Sequence, residues 1–379
     1  DDPGIHSNRL LTLHYLPGIG PAAMLAMHRD WDRRHGAVPA CPAVHGRGRR
    51  GRLRVGYVSP DFYAHSVSAF AEPVIAHHDR ARVEVVCYST GAVADAVTRR
   101  LMGKADLWRD IRELSDEAAA RLIAADGIDV LVDLTGHMAA NRLPVFARRP
   151  APVQVTWIGY PGTTGLAAMD YRLTDAVADP PGAADEAHAE RLWRLPGCFL
   201  CYGPPMEAPE VRPLPALARG AVTFGSFNNL AKLDDGVLAL WAEILRLVLG
   251  ARMLLKAGPL ADGPTRARII KAFAALGVAP ERLDLRSTVA SPREHLAQYG
   301  EVDIALDPFP YNGTTTTCEA LWMGVPVLTL RGDAHVGRVG ASLCAALGLD
   351  ALVAGDAAAC RDTAVALAAD LPRLAALRA

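Results

Sequence analysis

The sequence has no long hydrophobic run and almost no net charge. No apolar stretch reaches the roughly 18 residues that a membrane-spanning helix needs, and the chain does not open with a signal-peptide pattern. The formal net charge is −1 and long blocks of like charge are missing, which argues against a nucleic-acid or polyanion partner. We therefore expect a soluble cytoplasmic protein that binds neither a membrane nor nucleic acid.

Cysteine and lysine are both scarce. The seven cysteines are an odd number, which favours a reducing compartment for a chain of this size. Cys198 and Cys201 form a single C-x-x-C, but no second Cys or His pair completes a zinc pattern, so we expect no metal site. Lysine occurs only at positions 104, 232, 256 and 271.

Apolar residues, in contrast, make up 51% of the 379 residues, which is enough for two domains of ordinary size. Short β-rich runs alternate with helical patterns in each half of the chain. In the first half the predicted strands cover 53–58, 83–88, 128–134, 153–159 and 171–175. In the second half they cover 221–227, 251–258, 282–287, 302–307 and 325–332. Continuous apolar strands separated by helices predict an α/β fold with two parallel sheets, each covered by helices on both faces.

A proline-rich segment at 202–220 separates the two series of strands and is the expected linker. We predict N-terminal helices with a Gly/Arg-rich connector in 1–50, a first doubly wound lobe in 51–205, a second in 206–355 and a C-terminal helix in 356–379. Because ligands of such sheets bind beyond the carboxyl ends of the strands, we expect the binding site in a cleft between the lobes.

The stretch YNGTTTTCEALWMG at 311–324 contains an unusual helix start. Asn312-Gly313 favours a turn, and Thr314 to Thr317 fall where the next helix should begin. A helix start has unpaired N–H groups and partial positive charge, so hydroxyls there suit an anion, best of all a diphosphate. The alternative is that one threonine caps the helix while the others pack. Glu319 is then either a helix-dipole acid or a carboxylate for ribose hydroxyls.

Lys232 follows the strand 221–227 and is expected on a loop beyond its carboxyl end. A lysine there could neutralise the charge of a departing diphosphate. The alternative is an ordinary surface lysine, although the scarcity of lysine in this chain slightly favours a functional role for Lys232. Asn228 and Asn229 on the same loop are either turn residues or amides that contact a base or phosphate.

In the first half, His65 lies on the loop after the strand 53–58 and is a candidate general base, with a structural histidine as the alternative. Asp133, His137 and Asn141 follow another strand end, and IGYPGTTG at 158–165 follows a third. Small, hydroxylic and titratable residues therefore gather in several loops at the carboxyl ends of the predicted strands.

These motifs resemble glycosyltransferase family 41, which contains the O-GlcNAc transferases and the SPINDLY proteins. The resemblance runs through RVGYVSPDFYAHSVSAF, DVLVDLTGHMAANRL, RRPAPVQVTWIGYPGTTG, LPGCFLCY, TFGSFNNLAK and PYNGTTTTCEALWMGVPV. It implies a GT-B fold with two Rossmann-like lobes, and it makes the opening helices the remnant of a tetratricopeptide-repeat region. It also implies an inverting transferase that moves a sugar from a nucleotide sugar to Ser or Thr hydroxyls of an acceptor protein or peptide.

The resemblance also implies roles for individual residues. Lys232 matches the lysine that stabilises the departing diphosphate, and His65 matches an active-site histidine once regarded as the base. The implied nucleotide-sugar-binding residues are Asn229, His295, Gly313, Thr314, Thr315, Thr316, Thr317 and Glu319. The expected acceptor and sugar side consists of His137, Tyr160, Pro161, Gly162 and Thr163.

The donor stays open between GDP-fucose and UDP-GlcNAc. O-GlcNAc transferases carry a histidine where this chain has Thr314, and on this run the chain is closer to SPINDLY, which in plants uses GDP-fucose. No D-x-D pattern occurs in residues 206–379, so we expect lysine, threonine and helix N–H groups to hold the diphosphate without a metal cofactor. The alternatives are a transferase for small molecules and a catalytically silent nucleotide-sugar-binding protein.

Overall fold

The computed structural model describes residues 2–41 and 51–379. It divides into two compact units, Asp1–Gly203 and Pro204–Ala379. The predicted lobe boundary between residues 205 and 206 lies two residues after this division. The N-terminal helices, predicted as a separate segment, lie in the first unit, and residues 356–379 lie in the second. The predicted connector at 42–50 falls outside the described residues.

The first unit alternates helices and parallel strands after two opening helices. Its helices are α1 (Pro3–Leu13), α2 (Pro21–His35), α3 (Ser66–His77), α4 (Ala96–Lys104), α5 (Asp116–Asp126), α6 (Leu143–Ala147) and α7 (Ala183–Glu186). Its strands are β1 (Leu53–Ser59), β2 (Val83–Ser89), β3 (Leu107–Asp110), β4 (Val130–Asp133), β5 (Val153–Thr156), β6 (Tyr171–Asp175) and β7 (Arg191–Leu195). The strands pair in parallel in the order β3-β2-β1-β4-β5-β6-β7.

The second unit repeats this plan. Its helices are α8 (Pro215–Arg219), α9 (Asp235–Leu247), α10 (Gly263–Ala275), α11 (Pro292–Ala297), α12 (Thr315–Trp322), α13 (Val339–Ala346), α14 (Ala357–Ala369) and α15 (Leu371–Arg378). Its strands are β8 (Thr223–Ser226), β9 (Arg252–Lys256), β10 (Leu283–Arg286), β11 (Ile304–Leu306), β12 (Val327–Leu330) and β13 (Val353–Ala354). They pair in the order β10-β9-β8-β11-β12-β13. Both sheets therefore have the doubly wound order, in which the fourth strand returns to lie beside the first.

Every strand predicted from the sequence is present, and the prediction of parallel sheets is confirmed. The sequence patterns missed β3, β7 and β13. The first two contain charged, only partly buried residues, and β13 spans two residues. Short strands at the side of a sheet lack the continuous apolar pattern that marks a central strand.

Each unit has its own apolar core. In the first, α1 and α2 contribute Leu10 and Trp31, which pack with residues of the sheet and of α5 and α6. In the second, more than half of the residues of α9 are buried in the core, including Trp241. Among the described residues, no helix combines the length and apolar character needed to cross a bilayer.

Candidate functional site

The loops that leave β8 and β11 lie at the switch point of the second sheet. These two strands are neighbours in the sheet although far apart in the sequence, and the loops after them begin at Phe227 and Asp307. A doubly wound sheet opens a crevice at this point, beyond the carboxyl ends of the strands. The topology thus brings Lys232, on the first loop, next to the threonine run at the start of α12.

Lys232 ends a short 3₁₀ turn and reaches the loop before α12. Its Nζ donates to the carbonyl oxygen of Asn312 over 2.7 Å and lies 4.0 Å from the ring centroid of Tyr311. Burial lowers the pKa of Lys232 to about 8, while the negative charge of Asp307 acts in the opposite direction. The lysine is therefore still mainly a cation at neutral pH, and it is held against the segment that leads into Gly313.

Asp307 holds the segment between β11 and α12 in place. The side chain is buried and accepts hydrogen bonds from the Gly313 N–H at 2.6 Å and the Thr329 hydroxyl at 2.8 Å. Burial raises the pKa of Asp307 to about 6. A Cβ added to Gly313 would lie 2.6 Å from the Thr317 hydroxyl and 2.7 Å from the Thr316 hydroxyl. Only glycine therefore fits between Asp307 and these threonines without a shift.

The four threonines are not equivalent. Thr314 is the N-cap of α12, and no side chain of the described residues caps the helix. Thr317 is buried, whereas Thr314, Thr315 and Thr316 are half-buried. The Thr316 hydroxyl donates to the Asn228 side-chain oxygen at 3.0 Å, which connects the β8 loop to the helix start. The alternative in which one threonine caps the helix is therefore not observed, since the Thr314 side chain makes no capping hydrogen bond and only Thr317 is buried. The role of the run in binding an anion stays a prediction.

Glu319 lies one turn farther along α12 in a chain of polar contacts. Its Oε2 is 2.9 Å from His295 Nε2 and 3.2 Å from the Tyr299 hydroxyl. His295 Nδ1 is 2.6 Å from the Lys256 Nζ. The structure therefore brings together the predicted residues Glu319 and His295, and adds two that sequence reasoning missed, Lys256 and Tyr299. The rarity of lysine was the one signal that could have pointed to Lys256, which ends β9 beside β8.

Asn229 is an exposed residue of the loop after β8. Its side-chain oxygen accepts from the Ala231 N–H at 3.1 Å and so caps the turn that carries Lys232. The neighbouring Asn228 is the buried amide that meets Thr316. The role predicted for Asn229 near the nucleotide stays a prediction.

In the first unit, His65 is the N-cap of α3. The Val67 N–H donates to His65 Nδ1 at 3.3 Å, and the Asp61 carboxylate lies 3.7 Å from the same nitrogen. Burial raises the pKa of Asp61. Because Nδ1 accepts a hydrogen bond, the neutral ring carries its proton on Nε2. In that state Nε2 is a hydrogen-bond donor, and the role of His65 towards an acceptor stays a prediction.

The residues predicted for the acceptor side are largely buried. His137 Nε2 donates to the Thr164 carbonyl at 2.7 Å, and its Nδ1 is 2.9 Å from the Ser7 hydroxyl of α1. The Tyr160 hydroxyl is 2.7 Å from His28 Nε2 of α2.

The rest of this loop packs in the same way. Thr163 donates to Glu190 at 2.6 Å, and a Cβ on Gly162 would meet the His14 ring at 2.9 Å. Pro161 is half-buried beside them. The contacts of His137 and Tyr160 attach the opening helices to the strand-end loops of the first sheet, and the acceptor-side role of the group stays a prediction.

The described residues contain no group of three or more His, Cys, Asp or Glu side chains arranged to hold a metal ion. The D-x-D pattern at residues 30–32 lies on α2, where Asp30 forms ion pairs with Arg33 and Arg34 at 2.9 and 2.7 Å. The second carboxylate of the pattern, Asp32, accepts from the Ala167 N–H at 3.1 Å.

Comparisons with known proteins agree with this architecture. The chain matches the family description "Glycosyl transferase family 41" over residues 42–203 and 211–379. It is 45% identical to a probable UDP-N-acetylglucosamine–peptide N-acetylglucosaminyltransferase SPINDLY of Solanum lycopersicum, over 100% of this chain and 41% of that protein. It is 34% identical to the probable transferase SEC of Arabidopsis thaliana, over 89% of this chain and 35% of that protein. The chain thus spans less than half the length of these relatives.

A solved structure, that of a lysine-to-methionine mutant of the O-GlcNAc transferase of Thermobaculum terrenum, covers 100% of this chain with a TM-score of 0.94 and 44% identity. The alignment covers 72% of that chain. Two doubly wound parallel sheets with this similarity identify the fold as GT-B, as the sequence predicted. Together with the family match over both units, this shows that the chain belongs to glycosyltransferase family 41.

Proposed function

We propose that this chain transfers a sugar from a nucleotide sugar to Ser or Thr hydroxyls of a protein or peptide acceptor, with inversion and without a metal ion. The observation that carries the proposal is the 2.7 Å bond from Lys232 to the Asn312 carbonyl. It places a cation beside the uncapped start of α12, so one small region offers both an ammonium and free backbone N–H groups to a diphosphate.

The chemistry needs this charge because of where electrons move. The acceptor hydroxyl oxygen forms a bond to the anomeric carbon, and the bond from that carbon to the diphosphate oxygen breaks. The electron pair of the broken bond stays on the diphosphate, whose negative charge grows in the transition state. Groups fixed in place before the reaction stabilise such charge without reorganising. We assign this role to Lys232 and to the N–H groups of Thr315 and Thr316.

The nucleotide would lie along α12 from its start towards Glu319. The two ribose hydroxyls match the spacing of two carboxylate oxygens, and Glu319 presents its carboxylate one turn beyond the phosphate position. His295 and Tyr299 hold one of its oxygens, which leaves the other available. This arrangement supports a nucleoside diphosphate as the part of the donor that the second unit binds.

His65 is proposed to orient the acceptor hydroxyl. The Nε2–H tautomer set by the Val67 contact donates a hydrogen bond. A role as general base would require the Nδ1–H tautomer, which gives up the cap on α3.

For the donor, we propose that GDP-fucose is used in preference to UDP-GlcNAc. The argument is Thr314, which stands where O-GlcNAc transferases carry histidine, within a run that resembles SPINDLY. The printed names of the relatives point to UDP-GlcNAc, so both donors belong in the test.

The first test incubates the protein with each radiolabelled donor and a mixed peptide library, with and without a chelator. The second test is calorimetric titration of the protein with GDP and with UDP. We expect label in peptides, undiminished by chelator, and binding of the matching nucleotide. Binding without transfer would identify a silent binding protein, and label confined to small molecules would identify another acceptor class. Loss of transfer on adding chelator would overturn metal independence.

A further inference from the structure

Lys256 is a buried lysine that the proposed chemistry does not use. It ends β9 and is 3% exposed. Burying an ammonium group is costly unless it is paired. The hydrogen bond from its Nζ to His295 Nδ1, 2.6 Å long, is the one that the described residues show for it. Its Nζ also lies 5.3 Å from the ring centroid of Phe227.

This contact decides where the His295 ring proton lies. A protonated lysine can only donate, so His295 Nδ1 must be the acceptor and the ring proton must lie on Nε2. Nε2 faces Glu319 Oε2 at 2.9 Å. The three groups therefore form a directed chain of hydrogen bonds, from Lys256 through His295 to Glu319.

Neighbouring rings fix the plane of the imidazole. The rings of Phe227 and Tyr299 each lie 5.8 Å from that of His295, nearly edge-on, and they pack on each other at 4.2 Å. The Tyr299 hydroxyl adds a second contact to Glu319 Oε2, at 3.2 Å. Among the described residues, none donates a hydrogen bond to the other oxygen, Oε1. One oxygen of the carboxylate is thus held in place and the other is left for a ligand.

The charges around Lys256 fit this arrangement. Burial lowers the pKa of Lys256 to about 8, while the charge of Glu319 acts in the opposite direction and that of Arg286 adds to the lowering. Arg286 is itself paired with Asp284 and Glu301 at 2.6 and 2.7 Å. Glu319 is thus the acid that stabilises the charged form of Lys256.

We propose that Lys256 is a positioning residue for the ribose of the nucleotide: it fixes the tautomer of His295, which in turn orients Glu319 towards the two ribose hydroxyls. This inference rests on the proposed function. It assigns to Lys256 the recognition of a ribonucleoside diphosphate rather than of its phosphates or its base.

The experiment measures affinities for GDP and UDP and for their 2′,3′-dideoxy forms by calorimetry. The readout is the ratio of the dideoxy Kd to the ribonucleotide Kd. Hydrogen bonds to a charged group suggest a ratio of about ten or more for the unmodified protein. Glu319→Ala should bring it close to one and serves as the reference.

Lys256→Met should lower the ratio towards that of Glu319→Ala, and adding Lys256→Met to Glu319→Ala should change it no further. Lys256→Arg, which keeps a donor, should restore most of it. Lys271→Met is the matched control, because Lys271 is exposed on α10, and it should leave the ratio unchanged. A purely structural lysine would weaken both forms of the nucleotide equally and keep the ratio high, which would overturn the inference while the proposed function stands.

An unmodified protein that binds neither GDP nor UDP would overturn the proposed function and the inference together. If Lys256→Met does not fold, nitrogen NMR of the unmodified protein decides, with the His295 signals assigned by His295→Gln. The inference requires an unprotonated Nδ1 and a protonated Nε2 in His295. The opposite tautomer would refute it.

Discussion

At the scale of single residues, Lys232 is the group on which the proposed chemistry depends most. Its ammonium lies between the Asn312 carbonyl and the Tyr311 ring, so its position is set before any ligand arrives. A preorganised cation contributes most where charge develops, which is in the transition state rather than in the bound donor.

Replacing Lys232 by Met should therefore lower the transfer rate by a factor of about 100 to 1,000. The Kd for nucleoside diphosphate should change far less, and the melting temperature little. Initial rates with saturating donor, together with calorimetry, measure both effects. Lys271→Met should behave like the unmodified protein. A Lys232→Met protein that transfers sugar within a few-fold of the normal rate would exclude this lysine from the chemistry.

Gly313 is the second residue with a specific geometric task. Because an added Cβ would lie 2.6 Å from the Thr317 hydroxyl and 3.0 Å from the Asn228 side-chain oxygen, Gly313→Ala must displace the threonines. We expect about tenfold weaker binding of GDP or UDP, on the principle that misplaced groups lose their hydrogen bonds.

Gly263→Ala is the control for Gly313→Ala, because a Cβ at Gly263 meets nothing within 4 Å. Isothermal titration of both variants distinguishes the site effect from a general one. Equal affinities in the two variants would show that the threonine positions do not matter for the nucleotide.

At the scale of elements, a buried aspartate holds the loop at the switch point of each sheet. β4 and β11 occupy the same position in the strand order of their sheets. β4 ends at Asp133, and Asp307 directly follows β11. Asp133 accepts from the Gly136 N–H at 2.9 Å and the Thr156 hydroxyl at 2.8 Å. Asp307 makes the corresponding bonds to Gly313 and Thr329. The pKa of each carboxyl is raised to about 6 by burial.

The opening helices are attached to the first sheet through neutral histidines. Burial lowers the pKa of His28 to about 4 and that of His137 well below its ordinary value. The unfolded chain therefore binds these protons at a higher pH than the folded protein. Stability contributed by the neutral rings is full above about pH 6.5 and falls as the pH drops towards 4, by on the order of 3 kcal/mol for His28. Asp133 and Asp307 act in the opposite direction.

The variant His28→Gln isolates this effect, because it keeps a polar group beside Tyr160 but does not titrate. It should be less stable than the unmodified protein at pH 7.5, yet lose less stability between pH 7.5 and 5. Denaturant unfolding at both values measures the difference. If both proteins lose the same free energy of unfolding on acidification, the buried histidine is not the cause.

At the scale of the whole molecule, the groups assigned to the nucleotide all lie in Pro204–Ala379. We expect a saturating nucleoside diphosphate to slow amide exchange most at the start of α12 and in the loop after β8. The overall stability should rise with nucleotide concentration by mass action. Hydrogen-exchange mass spectrometry measures the pattern. Protection concentrated in Asp1–Gly203 would show that the nucleotide binds elsewhere.

Much of the candidate site could be predicted from local sequence, but the residues that hold its side chains in position could not. The threonine run, Glu319 and Lys232 follow strand ends and helix starts, which periodicity reveals. Asp307 and Tyr299 carry no local signal of their role, and Lys256 carries only the rarity of lysine, because the importance of all three comes from partners in other elements. The burial of His137 and Tyr160 could not be predicted either, since α1 and α2 cover them and belong to a different part of the chain.

The sequence by itself determined the two parallel sheets and the polar helix start after β11, because apolar runs and turn residues act over a few neighbours. Only the tertiary structure decided which side chains meet. Lys232 and Asn312 are 80 residues apart, and Lys256 and His295 are 39 apart. Such pairs depend on the order of strands in the sheet, which no local pattern encodes.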